Sequence, residues 1–217
     1  MSKIILFFSV IFLFSTASGS ILPAAAETYR PVNQRPMFGN IQKTQGMLDA
    51  DDAFRDSIKK NGNTYEKAYE HLVKRGWQYF NSGDLGGAVQ RFNQAWLLLP
   101  ENSEAYQGFA VVRAVQEAPI EEVNKLFELA VTRKDKNPNA HVDYAKYMNM
   151  TRRPRAAKEQ IEIALALDPK APNAHLQMAA AIYSLEGRQA SCAWFKMAVA
   201  LGEIELSAEQ IGKICED

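Results

Sequence analysis

Small and aromatic residues recur along the middle of this chain at intervals of 34 or 35 residues. One series consists of alanines, at Ala95, Ala130, Ala164 and Ala198. A series of large apolar residues keeps register with it, at Phe92, Phe127, Ile161 and Phe195. A repeat of this length is one helical unit that buries its apolar face only by stacking on the next copy. The recurrence therefore predicts a solenoid of stacked repeats, and it restricts the fold more than any other feature.

The stretch from Gly76 to Pro100 contains the elements of one such unit. Gly76 and Ala88 carry almost no side chain, so two antiparallel helices can approach closely at these positions. Turn-forming residues occupy 81–84 between the two helices, and Pro100 ends the second helix. Together with Leu72, Tyr79, Phe92 and Ala95, this stretch resembles one tetratricopeptide repeat (TPR). Only Arg75 departs from that pattern, at a position where an aliphatic residue is usual.

The resemblance extends over four units, at about 69–102, 103–137, 138–171 and 172–205. The second unit is the loosest, because Arg113 takes its aromatic position and Asp135 the position of the proline. A TPR array implies an all-α fold, a right-handed α-solenoid of about four helix pairs over 63–205. The same resemblance implies a binding surface rather than a particular chemistry.

Residues 1–26 have the pattern of a secretory signal peptide. Lys3 supplies a basic start, Ile4–Phe14 is an apolar run with one serine, and small residues follow. We expect cleavage after Ala26, with Ala17 or Gly19 as the alternative. An uncleaved membrane anchor is a second interpretation, although a spanning helix needs about 20 apolar residues. The pattern predicts export to a bacterial periplasm or beyond, with no stable membrane span after cleavage.

Residues 27–43 are interpreted as an extended arm, because Arg30 and Arg35 each precede a proline and are therefore biased away from helix. An N-terminal capping helix is expected at 44–62, with Thr44 as its N-cap. A C-terminal capping helix is expected at 206–217, where Ser207 and Gln210 have the spacing of a capping box. Such caps cover the apolar ends of a solenoid.

The chain balances 25 basic against 25 acidic residues, which gives a formal net charge of zero. This balance argues against nucleic acid as a partner, since nucleic-acid binding needs a clustered basic face. The run 152–155 contains three arginines and one proline in the turn of the third repeat. It has two interpretations, a solvated loop or a contact for an acidic partner.

Cys192 and Cys215 are the only cysteines. In an exported chain an even pair suggests a disulfide. The final helix should run antiparallel to the helix that carries Cys192, which would bring Cys215 opposite it. Two buried thiols are the alternative.

Signatures of catalysis are absent: the sequence has no G-x-S-x-G, H-E-x-x-H, phosphate loop or C-x-x-C. We therefore expect no catalytic residue and no cofactor. His141 and His175 lie 34 residues apart at one repeat position, which suggests a metal site. That position normally packs between two helices, so structural packing is the favoured interpretation and no metal is expected.

The surface left for function is the groove lined by the first helix of each repeat, where residues not used for packing recur at i, i+4 and i+7. The candidate binding residues are Val73, Trp77, Phe80, Gln107, Val111, Val142, Lys146, Asn149, Leu176 and Tyr183. Trp77 and Phe80 are the most informative, because large aromatics on an exposed face indicate a contact. The apolar Met37 and Phe38 suggest that the arm itself occupies the groove against them.

The sequence thus predicts an exported TPR scaffold that binds a protein or an extended peptide through a groove its own arm could occlude. One alternative is a structural or oligomerising module of an envelope complex. Another is a metal-binding or enzymatic accessory factor, which would need convergent polar groups in the groove.

Overall fold

The computed structural model describes residues 30–215, which form ten α-helices and two short 3-10 turns and no β-strand. The helices are α1 (Gln45–Lys60), α2 (Tyr65–Asn81), α3 (Leu85–Leu98), α4 (Ser103–Val115), α5 (Ile120–Val131), α6 (Pro138–Met150), α7 (Pro154–Leu167), α8 (Ala174–Glu186), α9 (Arg188–Ala200) and α10 (Ala208–Cys215). All ten lie within the unit Val32–Asp217. The predicted signal peptide lies outside the described residues.

Helices α2 to α9 form four consecutive hairpins, α2/α3, α4/α5, α6/α7 and α8/α9. The first helices (α2, α4, α6 and α8) contact one another in sequence, and each second helix (α3, α5 and α7) also contacts the first helix of the next pair. Stacking of this kind is an α-solenoid. The predicted all-α fold of about four helix pairs is therefore confirmed.

Phe92 on α3 is fully buried where the first two repeats meet. A Cβ atom at Gly76 on α2 would lie 2.5 Å from Cε1 of Phe92, and one at Gly108 on α4 would lie 2.5 Å from its Cε2. Both distances are too short for a real contact, so only glycine allows these two helices to close on the ring. The sequence pattern indicates the contact at Gly76, whereas the contact at Gly108 involves the next repeat.

An acidic side chain replaces proline at the end of the second and fourth repeats. Oδ2 of Asp135 accepts from the backbone N–H of Ser103 at 3.0 Å and from its hydroxyl at 2.7 Å, at the start of α4. Glu203 accepts from the backbone N–H of Leu176 at 2.8 Å, at the start of α8. The first N–H groups of a helix have no partner within the helix, and a carboxylate satisfies them. The departure at Asp135 from the repeat pattern is thus explained by helix capping.

The described part of the arm does not lie in the groove. Residues 32–40 form two 3-10 turns, Val32–Gln34 and Pro36–Asn40, that pack against α3. The side-chain amide of Asn93 donates to the carbonyl oxygens of Asn33 and Arg35 at 3.0 and 2.8 Å, and its Oδ1 accepts from the N–H of Phe38 at 3.3 Å. The prediction that the arm covers Trp77 and Phe80 is therefore wrong for these residues. The reason is that Asn93 on α3 offers the arm backbone three hydrogen bonds.

One helix lies at each end of the solenoid, α1 beside the first repeat and α10 beside the fourth. The side chain of Thr44 caps α1 by accepting from the N–H of Met47 at 3.4 Å, and α1 packs on α2. Ser207 and Gln210 exchange hydrogen bonds of 2.8 and 3.2 Å at the start of α10, as a capping box requires. None of the helices within 30–215 has the length and apolar character of a membrane span.

The predicted disulfide is present in the structure. It joins Cys192 on α9 to Cys215 on α10, with their Cα atoms 5.3 Å apart. The bond holds the last helix against the fourth repeat.

The contact of Gly76 with Phe92 predicts the effect of adding one methyl group. Gly76→Ala should lower the free energy of unfolding by about 1–3 kcal/mol, because the added Cβ overlaps the ring of Phe92. Urea unfolding followed by circular dichroism measures this. Gly46→Ala is the matched control, since a Cβ at Gly46 on α1 meets nothing within 4 Å. Equal losses at the two positions would contradict the packing.

The disulfide predicts a difference between oxidised and reduced protein. It links residues separated by 23 in sequence, for which the loop-entropy model gives about 3 kcal/mol of stabilisation. Reductant should therefore lower the urea midpoint of the wild type but not that of Cys192→Ser/Cys215→Ser. Mass spectrometry without reductant should find one cross-linked peptide pair, and two free thiols would refute the assignment.

Candidate peptide-binding groove

The candidate groove is the face of the four first helices that points away from the second helices. The structure places the predicted residues of this face at three levels of burial. The buried ones are Val73, Gln107 and Val142. The half-buried ones are Trp77, Phe80, Val111, Asn149 and Leu176. The exposed ones are Lys146 and Tyr183. The structure therefore brings all ten to one layer of helices, in which the side chains of Val73, Gln107 and Val142 are almost fully covered.

Burial of the three has a geometric reason. Each sits at the earliest of the three positions on its helix, and each of these helices packs against the first helix of the next repeat. Gln107 shows this most clearly, since its Nε2 donates to Oδ2 of Asp143 on α6 at 2.7 Å. Its Oε1 accepts from Nδ2 of Asn137 at 2.8 Å. Gln107 thus joins the second repeat to the third.

A second polar contact joins the third repeat to the fourth. Nδ2 of Asn149 on α6 donates to the backbone oxygen of Gln177 on α8 at 3.0 Å and to its side-chain oxygen at 3.3 Å. These bonds fix the spacing of the first helices from inside the groove layer. Asn149 was predicted as a binding residue, and the structure gives it this contact between repeats as well.

Trp77 has a packing role that the sequence did not indicate. Its ring lies edge-on to Phe92, with centroids 5.2 Å apart, and edge-on to Phe80 at 5.7 Å. The remaining side of the indole faces a shallow depression of about 410 Å³, whose other lining residues are Glu70, Val73, Lys74, Gln78, Asn81 and Glu104. Trp77 therefore belongs both to the core and to the groove surface.

Large apolar side chains lie exposed where the first helices end. Val115 is 56% exposed at the end of α4, Met150 is 72% exposed at the end of α6, and Tyr183 is 50% exposed near the end of α8. With the half-buried Phe80 of α2, we call these four residues the apolar rim. Val115 and Met150 were missed from the sequence because they lie one residue beyond the periodic positions of the groove face.

Burial shifts the pKa of two carboxyl groups in the groove layer. Burial raises the pKa of the Asp143 carboxyl, against the hydrogen bond from Gln107 and the charge of Lys146, which lower it. Burial also raises the pKa of Glu104, and the negative charges of Asp135 and Glu70 add to that effect. The groove layer therefore holds acidic groups whose charged forms are disfavoured by their surroundings.

The two histidines at the shared repeat position pack within the fold. His141 is buried, with Nδ1 2.8 Å from Oε1 of Gln160. His175 is buried as well, with Nδ1 3.0 Å from Oε1 of Glu203. Each histidine thus has its partner in its own repeat.

Four stacked hairpins with small residues at the helix contacts and aromatic side chains between them define a TPR-like helical solenoid. Its structure is similar to that of PilF from Pseudomonas aeruginosa, at 14% sequence identity and a TM-score of 0.60, over 70% of this chain and 67% of that one. It is also similar to a structure of MamA, at 18% identity and a TM-score of 0.50, over 75% of this chain and 97% of that one. No protein-family model matches the sequence, and no curated protein matches it either. The likeness at these identities concerns the fold alone.

The raised pKa of Asp143 predicts a pH-dependent stability. An acid whose folded-state pKa lies above its unfolded value contributes stability that is complete below the unfolded pKa and is lost as pH rises through the folded pKa. Asp143→Asn keeps an acceptor for Gln107 and removes the charge. The variant should therefore melt at a higher temperature than the wild type at neutral pH, and the two should converge below about pH 3.9.

Thermal melts by circular dichroism across this pH range measure the difference. Asp56→Asn is the control, because it removes the same charge from an exposed position on α1. If both variants change stability equally at every pH, burial of Asp143 is not the cause.

Proposed function

We propose that this protein is an exported scaffold that binds a protein or an extended peptide across the face of its first helices. The observation that carries the proposal is the apolar rim, where Val115, Met150 and Tyr183 are at least half exposed. Large apolar side chains left in solvent on successive repeats favour a protein-interaction site. The described part of the arm lies on α3, which leaves the rim open to a partner.

The geometry of the rim suits an extended ligand. Its four side chains come from four successive repeats, each near the end of its first helix. Packed helices lie about 8–10 Å apart, and an extended chain advances about 3.3–3.6 Å per residue. A peptide that crosses the first helices would thus bring a side chain to each repeat about every two or three residues.

Polar groups of the groove support this mode of binding. Lys146 is exposed in the middle of the groove layer, where its ammonium group can donate to a peptide carbonyl. The bonds of Gln107 and Asn149 hold α4, α6 and α8 in a set spacing. A surface that is already ordered loses less entropy when a partner binds.

Export is supported by two independent features. Residues 1–26 have the pattern of a signal peptide. The Cys192–Cys215 disulfide is of the kind that persists in oxidising compartments such as the bacterial periplasm. N-terminal sequencing of the protein from an envelope fraction would give Glu27 as the first residue if cleavage follows Ala26.

A second candidate function is assembly through the outer layer of helices. Exposed apolar pairs lie at the second helices of the last two repeats, Ile163 and Leu167 on α7, and Met197 on α9 with Leu201 directly after its end. The two pairs are 34 residues apart and therefore occupy equivalent positions. They favour a structural or oligomerising module as the alternative.

Paired charge substitutions distinguish the two surfaces. Met150→Glu/Tyr183→Glu places two carboxylates on the rim, and Ile163→Glu/Met197→Glu places two on the outer layer. Since these side chains are exposed or partly exposed, both variants should keep the wild-type circular dichroism spectrum. The rim variant should lose at least about tenfold in affinity for a partner captured by cross-linking in the native envelope, because binding would bury unpaired charge.

The two candidate binding surfaces predict different results for the two variants. Loss of the partner with the rim variant alone supports the groove. Loss with the outer-layer variant alone, or a change of oligomeric state in sedimentation, supports assembly through the second helices. Equal capture by both variants and the wild type would exclude the rim as the binding surface.

A further inference from the structure

Three arginines surround a depression at the turn between α6 and α7. Arg152, Arg153 and Arg155 line it, with a volume of about 440 Å³. Its remaining lining residues are Pro154, Ala156, Glu159 and Leu185. The aliphatic surfaces of Pro154, Ala156 and Leu185 give it apolar walls, and the lining carries three arginines but one acidic residue, Glu159. The depression is therefore both apolar and positively charged.

Arginines elsewhere in residues 30–215 are used within the fold. Arg113 pairs with Glu122, with Nη2 2.9 Å from Oε2, and Arg55 pairs with Asp52 at 2.9 Å. The guanidinium of Arg133 lies over the ring of Tyr106, 4.3 Å from its centroid. The others likewise have partners. Arginine in this protein is thus mainly a packing and pairing residue.

Arg152 and Arg155 differ from this rule. Both are exposed, and the described part of the chain shows no hydrogen bond, ion pair or ring contact for either guanidinium. Between them, Arg153 is held by Asn124, with Nη2 3.0 Å from Oδ1. Arg153 thereby fixes the turn from which Arg152 and Arg155 project.

The backbone at this turn lies in the left-handed region. Arg152 has φ 59°, and the equivalent turns of the first and second repeats place Gly83 at φ 83° and Glu117 at φ 54°. A side chain in this region costs free energy that glycine avoids. The third repeat therefore has an exposed arginine at a turn position where the first repeat has glycine.

We propose that this turn binds an acidic segment of a protein partner, in which carboxylate side chains flank an aliphatic or aromatic side chain. The planar guanidinium group binds a carboxylate through two parallel N–H bonds, which an ammonium group cannot copy. The apolar side chain of the ligand packs against Leu185 and Pro154 in the depression. The lining of this site shares no residue with the apolar rim, so variants of one surface leave the residues of the other unchanged and the two proposals can fail separately.

Fluorescence anisotropy with a labelled peptide of alternating glutamate and leucine tests the proposal. Arg152→Gln/Arg155→Gln should weaken binding at least about tenfold. Arg152→Lys/Arg155→Lys should bind with intermediate affinity, because lysine keeps the positive charge but lacks the planar guanidinium group that binds a carboxylate through two bonds. A peptide with glutamine in place of glutamate should not bind. The matched control is Lys59→Gln/Lys60→Gln, which removes two charges from α1 and should leave the affinity unchanged.

Folding is checked with a second variant. Arg152→Gly/Arg155→Gln removes both guanidinium groups while glycine relieves the left-handed backbone, so it should melt no lower than the wild type and still lose the peptide. The proposal would be overturned if Arg152→Gln/Arg155→Gln or Arg152→Gly/Arg155→Gln bound the acidic peptide with the affinity of the wild type. Equal binding of the glutamine peptide, or binding to phosphatidylglycerol vesicles with no binding of the acidic peptide, would also overturn it.

Discussion

The ring of Phe92 between Gly76 and Gly108 is the contact on which the solenoid depends. It comes from a second helix and touches the first helices of its own repeat and of the next. Full burial of such a side chain stabilises by about 1.5–3 kcal/mol. The equivalent Phe127 stacks on Tyr144 of the third repeat, with centroids 4.9 Å apart. Phe92 and Phe127 thus each act on two distances, the one within a hairpin and the one between successive hairpins.

Polar contacts join neighbouring helices in addition to the aromatic contacts. Asp135 and Glu203 satisfy the free N–H groups of α4 and α8, and Gln107 and Asn149 join successive first helices. Asn93 acts in the same way on the outer layer, where it holds the backbone of residues 33–38. The Asn93 amide donates two hydrogen bonds and accepts one, and so fixes one arrangement of the segments it joins. The described part of the arm therefore belongs to the outer layer of helices.

The two proposed surfaces rest on different physical observations. The apolar rim is inferred from large side chains left in solvent, and the arginine turn from guanidinium groups without partners. They come close in sequence at Met150 and Arg152, on either side of Thr151. A partner with an extended apolar stretch followed by acidic residues would be able to use both.

The sequence alone determined the helical repeat, the contact at Gly76, the caps at Thr44 and Ser207, and the pairing of Cys192 with Cys215. These features depend on short-range spacing or on one contact repeated in every unit, and both can be read from a single chain. Only the tertiary structure decided where the arm lies, because its position depends on hydrogen bonds between Asn93 and residues some 60 positions earlier. It also decided that Val73, Gln107 and Val142 are buried while Val115 and Met150 are exposed. Helical periodicity gives the direction of a side chain from its own helix, whereas burial depends on how closely the next helix packs.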